Sequence, residues 1–215
     1  MGLLKIEHIK AILKIPEVSE RFRIAHGREW NQNDVAIMYQ SFEKHLFASL
    51  QDFTTPVPGV VETMEQLRRE GIRIGSTTGY TDAMMKIVQP GAAAQGYIVD
   101  CLVTPDHLPA GRPAPYMIYR NMTELAIPSV DEVVKVGDTI ADIREGLNAK
   151  VCSVGVITGS NELGLTEEEY KTMPEPELYT LKQEVRERMM AAGAHYVLDN
   201  IRELPDLIHN LMNKK

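Results

Sequence analysis

From about residue 60 onward the chain alternates helical stretches with short runs that are almost wholly apolar, and few folds admit that pattern. The clearest runs are "VVKVGD" (133–138), "VCSVGVI" (151–157) and "HYVLD" (195–199). A strand with one wet face alternates polar and apolar residues. A strand apolar on both sides must be covered on both faces, which is the situation of parallel strands joined by crossover helices. "IRIGSTT" (72–78) and "YIVDCLVT" (97–104) read as two further strands. Helices are expected at 60–70, 81–90, 115–126, 140–149, 166–192 and 200–212. The pattern predicts an α/β fold with a doubly wound parallel sheet.

The first fifty-odd residues follow another grammar. Leu3, Ile6, Ile9 and Leu13 share one helical face, a second helical pattern runs from about Glu17 to Arg28, and a third runs from Asn33, its expected N-cap, to Leu50. "TTPVPG" (54–59) then breaks the pattern. Two units are therefore expected, an all-helical one over 1–53 and the α/β one over 54–215. With 44% hydrophobic residues there is apolar material for a sizeable core. A formal net charge of -7, with no basic patch, argues against nucleic acid as a partner. Two cysteines, Cys101 and Cys152, lie far apart, which argues against a disulfide scaffold or zinc ribbon and fits a reducing cytoplasm. No run is long and apolar enough to span a membrane, and no secretory signal is expected.

In an open parallel sheet, chemistry gathers at the carboxyl ends of strands. Three such places carry suitable residues. In "GSTTGYT", Thr77, Thr78 and Gly79 stand where a strand stops and a helix starts, so hydroxyls and free N–H groups there can hold an anion such as a phosphoryl group. A plain Thr-Gly turn capping the helix is the alternative. In "KVGDTIADIREG", Asp138 and Asp142 are four apart. Two unpaired carboxylates that close call for a cation, and Mg²⁺ suits hard oxygen ligands. The alternative is that Asp138 caps the helix and Asp142 complements its dipole. In "PAGRPAP" (109–115), a stiff loop can aim Arg112 as a bidentate partner for phosphoryl oxygens, or leave it as a solvated loop arginine.

A strand-end Thr, a loop cation and a strand-end Asp followed by a second Asp, in that order, resemble the later motifs of the haloacid dehalogenase superfamily. "IGSTTGYT", "LVTPDHLPAGRPAP", "KVGDTIADIREGLNA" and "GVITGSNELGLTEEE", with the opening "MGLLKIEH", resemble the phosphonoacetaldehyde hydrolase family over nearly the whole chain. That resemblance implies a haloacid dehalogenase-like core under a partial helical cap. It also implies cleavage of the C–P bond of phosphonoacetaldehyde to acetaldehyde and phosphate through a lysine Schiff base and an aspartyl-phosphate. By resemblance Thr78 and Gly79 would hold the phosphoryl group, with Tyr80 and Met1 lining the pocket. Arg112 would neutralise the phosphoryl charge, Asp138 would bind Mg²⁺ with Asp142 helping directly or through water, Lys5 would form the imine, and His8 would shuttle a proton. Two copies would pair through the cap.

The chemistry explains the lysine. A carbon leaving group departs poorly as a carbanion, but an iminium next to it accepts the electrons and gives an enamine. The amine must be neutral to attack, so burial among Leu3, Leu4 and the closed cap is expected to lower its pKa. Without the resemblance Lys5 reads as a solvated helix lysine. Family members begin with a strand bearing the nucleophilic aspartate, and this sequence opens in mid-helix. Asp100 and Asp199 are poor substitutes. A first core strand is thus expected to be absent and the sheet defective at its centre, with residues 1–215 alone releasing no phosphate. Two other functions stay open: a catalytically dead remnant with a binding role, and a general phosphatase, whose ester hydrolysis would survive Lys5→Ala.

Overall fold

The computed structural model describes residues 5–213. Three helices come first, α1 (Lys5–Leu13), α2 (Pro16–His26) and α3 (Gln32–Ser49), packed around Leu13, Phe22 and Val35. Gly27 ends α2 in the left-handed conformation. The expected cap of α3 moves from Asn33 to Asn31. The Asn31 side chain accepts from the N–H groups of Asn33 and Asp34, and Asp34 accepts from the Asn31 N–H in return. Arg28 pins the Asp34 carboxylate at 2.7 Å and holds it down to a pKa of about 2. That reciprocal pair outcompetes a start two residues later.

Past a 3₁₀ turn at Leu50–Phe53, the α/β elements run α4 (Val60–Arg69), β1 (Gly75–Thr77), α5 (Asp82–Ala94), β2 (Cys101–Val103), α6 (Tyr116–Glu124), β3 (Val134–Gly137), α7 (Ile140–Asn148), β4 (Cys152–Val156), α8 (Glu167–Thr172), α9 (Glu175–Ala191), β5 (Tyr196–Leu198) and α10 (Leu204–Met212). All pairings are parallel. Along β4, Val154 and Val156 face a cluster with Leu67 of α4 and Leu204 of α10. Gly155 faces the other way, and a Cβ there would meet the Met189 sulfur of α9 at 2.6 Å. Helices therefore cover both faces, as the unbroken apolar runs required.

Several boundaries differ from expectation. The single stretch expected over 166–192 is two helices, because Met173 precedes Pro174 and is pushed into the extended region. Helix α5 runs past Pro90 to Ala94, the proline removing one N–H without stopping the ladder. Residues 97–100 lie outside β2. Asp100 instead ties the two strands at their start, its carboxylate accepting from the Ile74 N–H at 2.6 Å while its own N–H donates to the Ile74 carbonyl at 2.8 Å.

The strands form two sheets, β1–β2 and β3–β4–β5. Among the described residues no backbone ladder joins β1 to β3. Side chains bridge these two edges instead, Lys135 of β3 donating to the Thr77 hydroxyl of β1 at 2.8 Å. No helix among the described residues is long and apolar enough to cross a membrane.

Candidate functional site

The carboxyl ends of β1 and β3 and the loop after β2 converge. Beyond β1, the Thr78 hydroxyl accepts from the Tyr80 N–H at 3.1 Å, closing the turn Thr78–Gly79–Tyr80. The N-cap of α5 is Thr81, whose hydroxyl accepts from the Met84 N–H. The Thr-Gly turn therefore does not cap the helix, and its groups stand ahead of the cap.

Lys5 of α1 reaches this turn from the helical region, its ammonium lying 4.8 Å from the centroid of the Tyr80 ring. Burial pushes the Lys5 pKa below the ordinary lysine value. His8, one turn on, is also lowered, chiefly by burial. The Tyr80 phenol is raised by burial. Met1, expected in the same pocket, and Leu3 and Leu4, expected to bury the lysine, lie outside the described residues.

Arg112 is no solvated loop arginine, its side chain being 10% exposed. Its Nε donates to Glu145 at 3.1 Å, its Nη1 meets Asp142 at 2.9 Å, and its Nη2 donates to the Thr77 carbonyl at 2.5 Å and the Thr77 hydroxyl at 2.8 Å. A second buried cation, Lys135, repeats these partners. Its Nζ meets Asp142 at 2.8 Å, Glu145 at 2.9 Å and the Thr77 hydroxyl at 2.8 Å. Two cations and two carboxylates thus alternate in a closed ring around Thr77. Burial would raise the Asp142 pKa, but Lys135 and Arg112 outweigh it and hold the carboxyl below its usual range. Gly137 makes room for the ring, since a Cβ there would stand 2.2 Å from the Cβ of Asp142.

The two aspartates take different partners. Thr139, not Asp138, caps α7, accepting from the Asp142 N–H and donating to its Oδ2 at 2.6 Å. Asp138 turns instead to Asn161, accepting from its backbone and side-chain N–H groups at 3.0 and 2.9 Å through Oδ2. No group of three or more His, Cys, Asp or Glu is gathered among the described residues. The test for Mg²⁺ divides the pair. Asp138, with Oδ1 uncommitted among the described residues, suits a hard cation, whereas both Asp142 oxygens are engaged by Lys135, Arg112 and Thr139.

Lys135, Glu145 and Asn161 escaped the sequence reading of the site. A signal existed for the first two: a lysine inside an apolar strand, and a glutamate one turn after Asp142 on the covered face of its helix, each require a buried partner. The two aspartates rejected as nucleophiles are both engaged. Asp100 holds the Ile74 N–H, and Asp199 pairs with Arg186 and Lys182.

Residues 6–150 match the family model of the haloacid dehalogenase-like hydrolases. The chain is 69% identical over 214 residues to the phosphonoacetaldehyde hydrolase of Parabacteroides distasonis, covering 100% of this chain and 81% of the relative. It is 58% identical to the enzyme of that name from Bacteroides fragilis, again over 81% of the relative. Among solved structures, a phosphonoacetaldehyde hydrolase-like protein from Oleispira antarctica superposes with a TM-score of 0.95 at 31% identity, over 100% of this chain and 78% of that one.

Proposed function

The chain belongs to the phosphonoacetaldehyde hydrolases, within the haloacid dehalogenase-like hydrolases, and we propose that it cleaves the C–P bond of phosphonoacetaldehyde through an imine on Lys5. The observation that carries this is the Lys5 side chain, reaching from α1 over Tyr80 with its ammonium disfavoured by burial. In its neutral form Nζ attacks the aldehyde carbon, water leaves, and a C=N bond forms. As the C–P bond breaks, its electron pair moves into the iminium and leaves an enamine. Protonation of the enamine carbon and hydrolysis then release acetaldehyde and free the lysine. His8, its pKa lowered by burial, carries the proton to and from this centre. The Thr78–Gly79 turn and Arg112 hold the phosphoryl oxygens. The phosphoryl group passes to an oxygen nucleophile as the C–P bond breaks, and water, consumed in the net reaction, releases it as phosphate; no described residue is assigned as that nucleophile. Asp138 would hold Mg²⁺, which supplies positive charge to the phosphoryl oxygens. Exposed Ile12, Ile24, Ile37 and Phe42 on the first three helices support pairing of two copies through that region. The two free cysteines suit a cytoplasmic location.

The test is to incubate the chain with phosphonoacetaldehyde and borohydride and to map the peptides by mass. Reduction of the imine, hydride going to carbon and a water proton to nitrogen, should leave a 2-phosphonoethyl or, after C–P cleavage, an ethyl group on Lys5. Modification at Lys10 or Lys14 instead, or no adduct, would overturn the proposal.

A further inference from the structure

We propose that Lys135 and Glu145 are positioning residues that clamp Arg112 through Nε and Nη2 and leave Nη1 to meet an anionic substrate. The inference rests on the reading of Arg112 as the phosphoryl-binding cation. A guanidinium carries five N–H groups in a rigid plane. Hydrogen bonds inside the protein take Nε, which donates to Glu145, and Nη2, which donates to the carbonyl and hydroxyl of Thr77, while Nη1 stands 2.9 Å from Asp142 as an ion pair. Among the described residues the N–H groups of Nη1 donate no hydrogen bond.

The plane cannot rotate without breaking bonds on three sides. Glu145 is 0% exposed and would be repelled by Asp142 but for the cations between them. Lys135 supplies the second of those cations, touching both carboxylates at 2.8 and 2.9 Å. Without it, two carboxylates would share a single guanidinium, and Arg112 would be drawn toward one of them. Thr77 completes the clamp, its hydroxyl accepting from Lys135 and Arg112 and donating to Glu145 at 3.0 Å. Among the described residues the other Glu145 oxygen is buried with no partner. That burial is tolerated because three donors converge on its sister oxygen.

The experiment uses two readouts on the full chain and on Lys135→Met, Glu145→Gln and the charge-balanced double variant Lys135→Met/Glu145→Met. The double variant guards against misfolding, because removing both members of a buried ion pair is tolerated far better than removing one. The first readout is hydrogen exchange at the Arg112 Nε–H, identified by its loss in Arg112→Lys. Exchange should be slow in the native chain and fast in all three variants. The second is borohydride trapping at Lys5 with phosphonoacetaldehyde and, separately, with propanal, which has no phosphonate. The half-saturating concentration of phosphonoacetaldehyde should rise about 10- to 100-fold in the variants while trapping of propanal stays unchanged. Fast exchange in the native chain, slow exchange in the variants, or an unchanged preference for the phosphonate over propanal would each overturn the clamp. Absence of any adduct on native Lys5 would instead overturn the imine reading, and the exchange rates would still decide whether Arg112 is held.

Discussion

Lys5 and Arg112 approach the same strand end, and they are held in opposite ways. Lys5 is half-buried on a first-turn helical position, and among the described residues its ammonium lies over the face of the Tyr80 ring. Arg112 is nearly sealed and bound on three nitrogens. A nucleophile must lose its proton, attack, carry a covalent adduct and be released, so a tight ion pair would hold it charged and still. A cation that reads an anion has no bond to make, and it gains from being fixed before the substrate arrives. The two ends of the site thus trade constraint against chemistry.

The largest test of this contrast is Lys5→Met, which should abolish trapping at that position completely and leave thermal stability unchanged or raised, since it removes a desolvated ammonium. The reverse outcome is expected for Glu145→Ala. It leaves Lys135 and Arg112 with one buried counter-charge fewer and should cost about 3–5 kcal/mol in urea unfolding. A loss near that of an exposed pair would mean the ring is solvated. Next in size is the metal. Asp138→Ala should weaken Mg²⁺ binding by calorimetry more than Asp142→Ala, whereas Asp142→Ala should be the less stable variant; the opposite ranking would reassign the ligand. Smaller still is the pH dependence of trapping. The amine is the reactive form and burial lowers the Lys5 pKa, so adduct yield should rise with pH and reach half-maximum below the pH expected for an ordinary lysine. The sign for stability is the same: protonated Lys5 is disfavoured in the folded chain, so its cost fades as pH rises toward the unfolded lysine pKa. Smallest is Thr81→Ala, which removes the N-cap of α5 behind the Tyr80 turn and should cost about 1 kcal/mol in thermal unfolding.

The architecture was legible because unbroken apolar runs such as "VCSVGVI" leave a strand no solvent face. The residues at the strand ends were legible as candidates, since Thr78, Arg112 and Asp138 stand at the places where parallel sheets do chemistry. Their partners were not. Arg112 lies 33 residues from Glu145 and 35 from Thr77, and the ring closes only once β1, β3 and α7 have packed. The roles of Asp138 and Asp142 could not be separated by spacing, because Thr139 is an equally good N-cap, and its choice frees one aspartate while binding the other. Boundaries failed where a local rule met a stronger one, as with Asn31 and the Arg28–Asp34 pair.

Gly137 has a consequence for how such a chain can change by descent. Asp142 fills the space where any side chain at 137 would begin. The two positions are therefore tied in order as well as in identity. A lineage that replaced the glycine first would expel the aspartate and leave two buried cations sharing Glu145 alone. A lineage that shortened Asp142 first would open the space and could then accept a side chain at 137, having already surrendered the ring. No path of single replacements fills 137 while the ring survives.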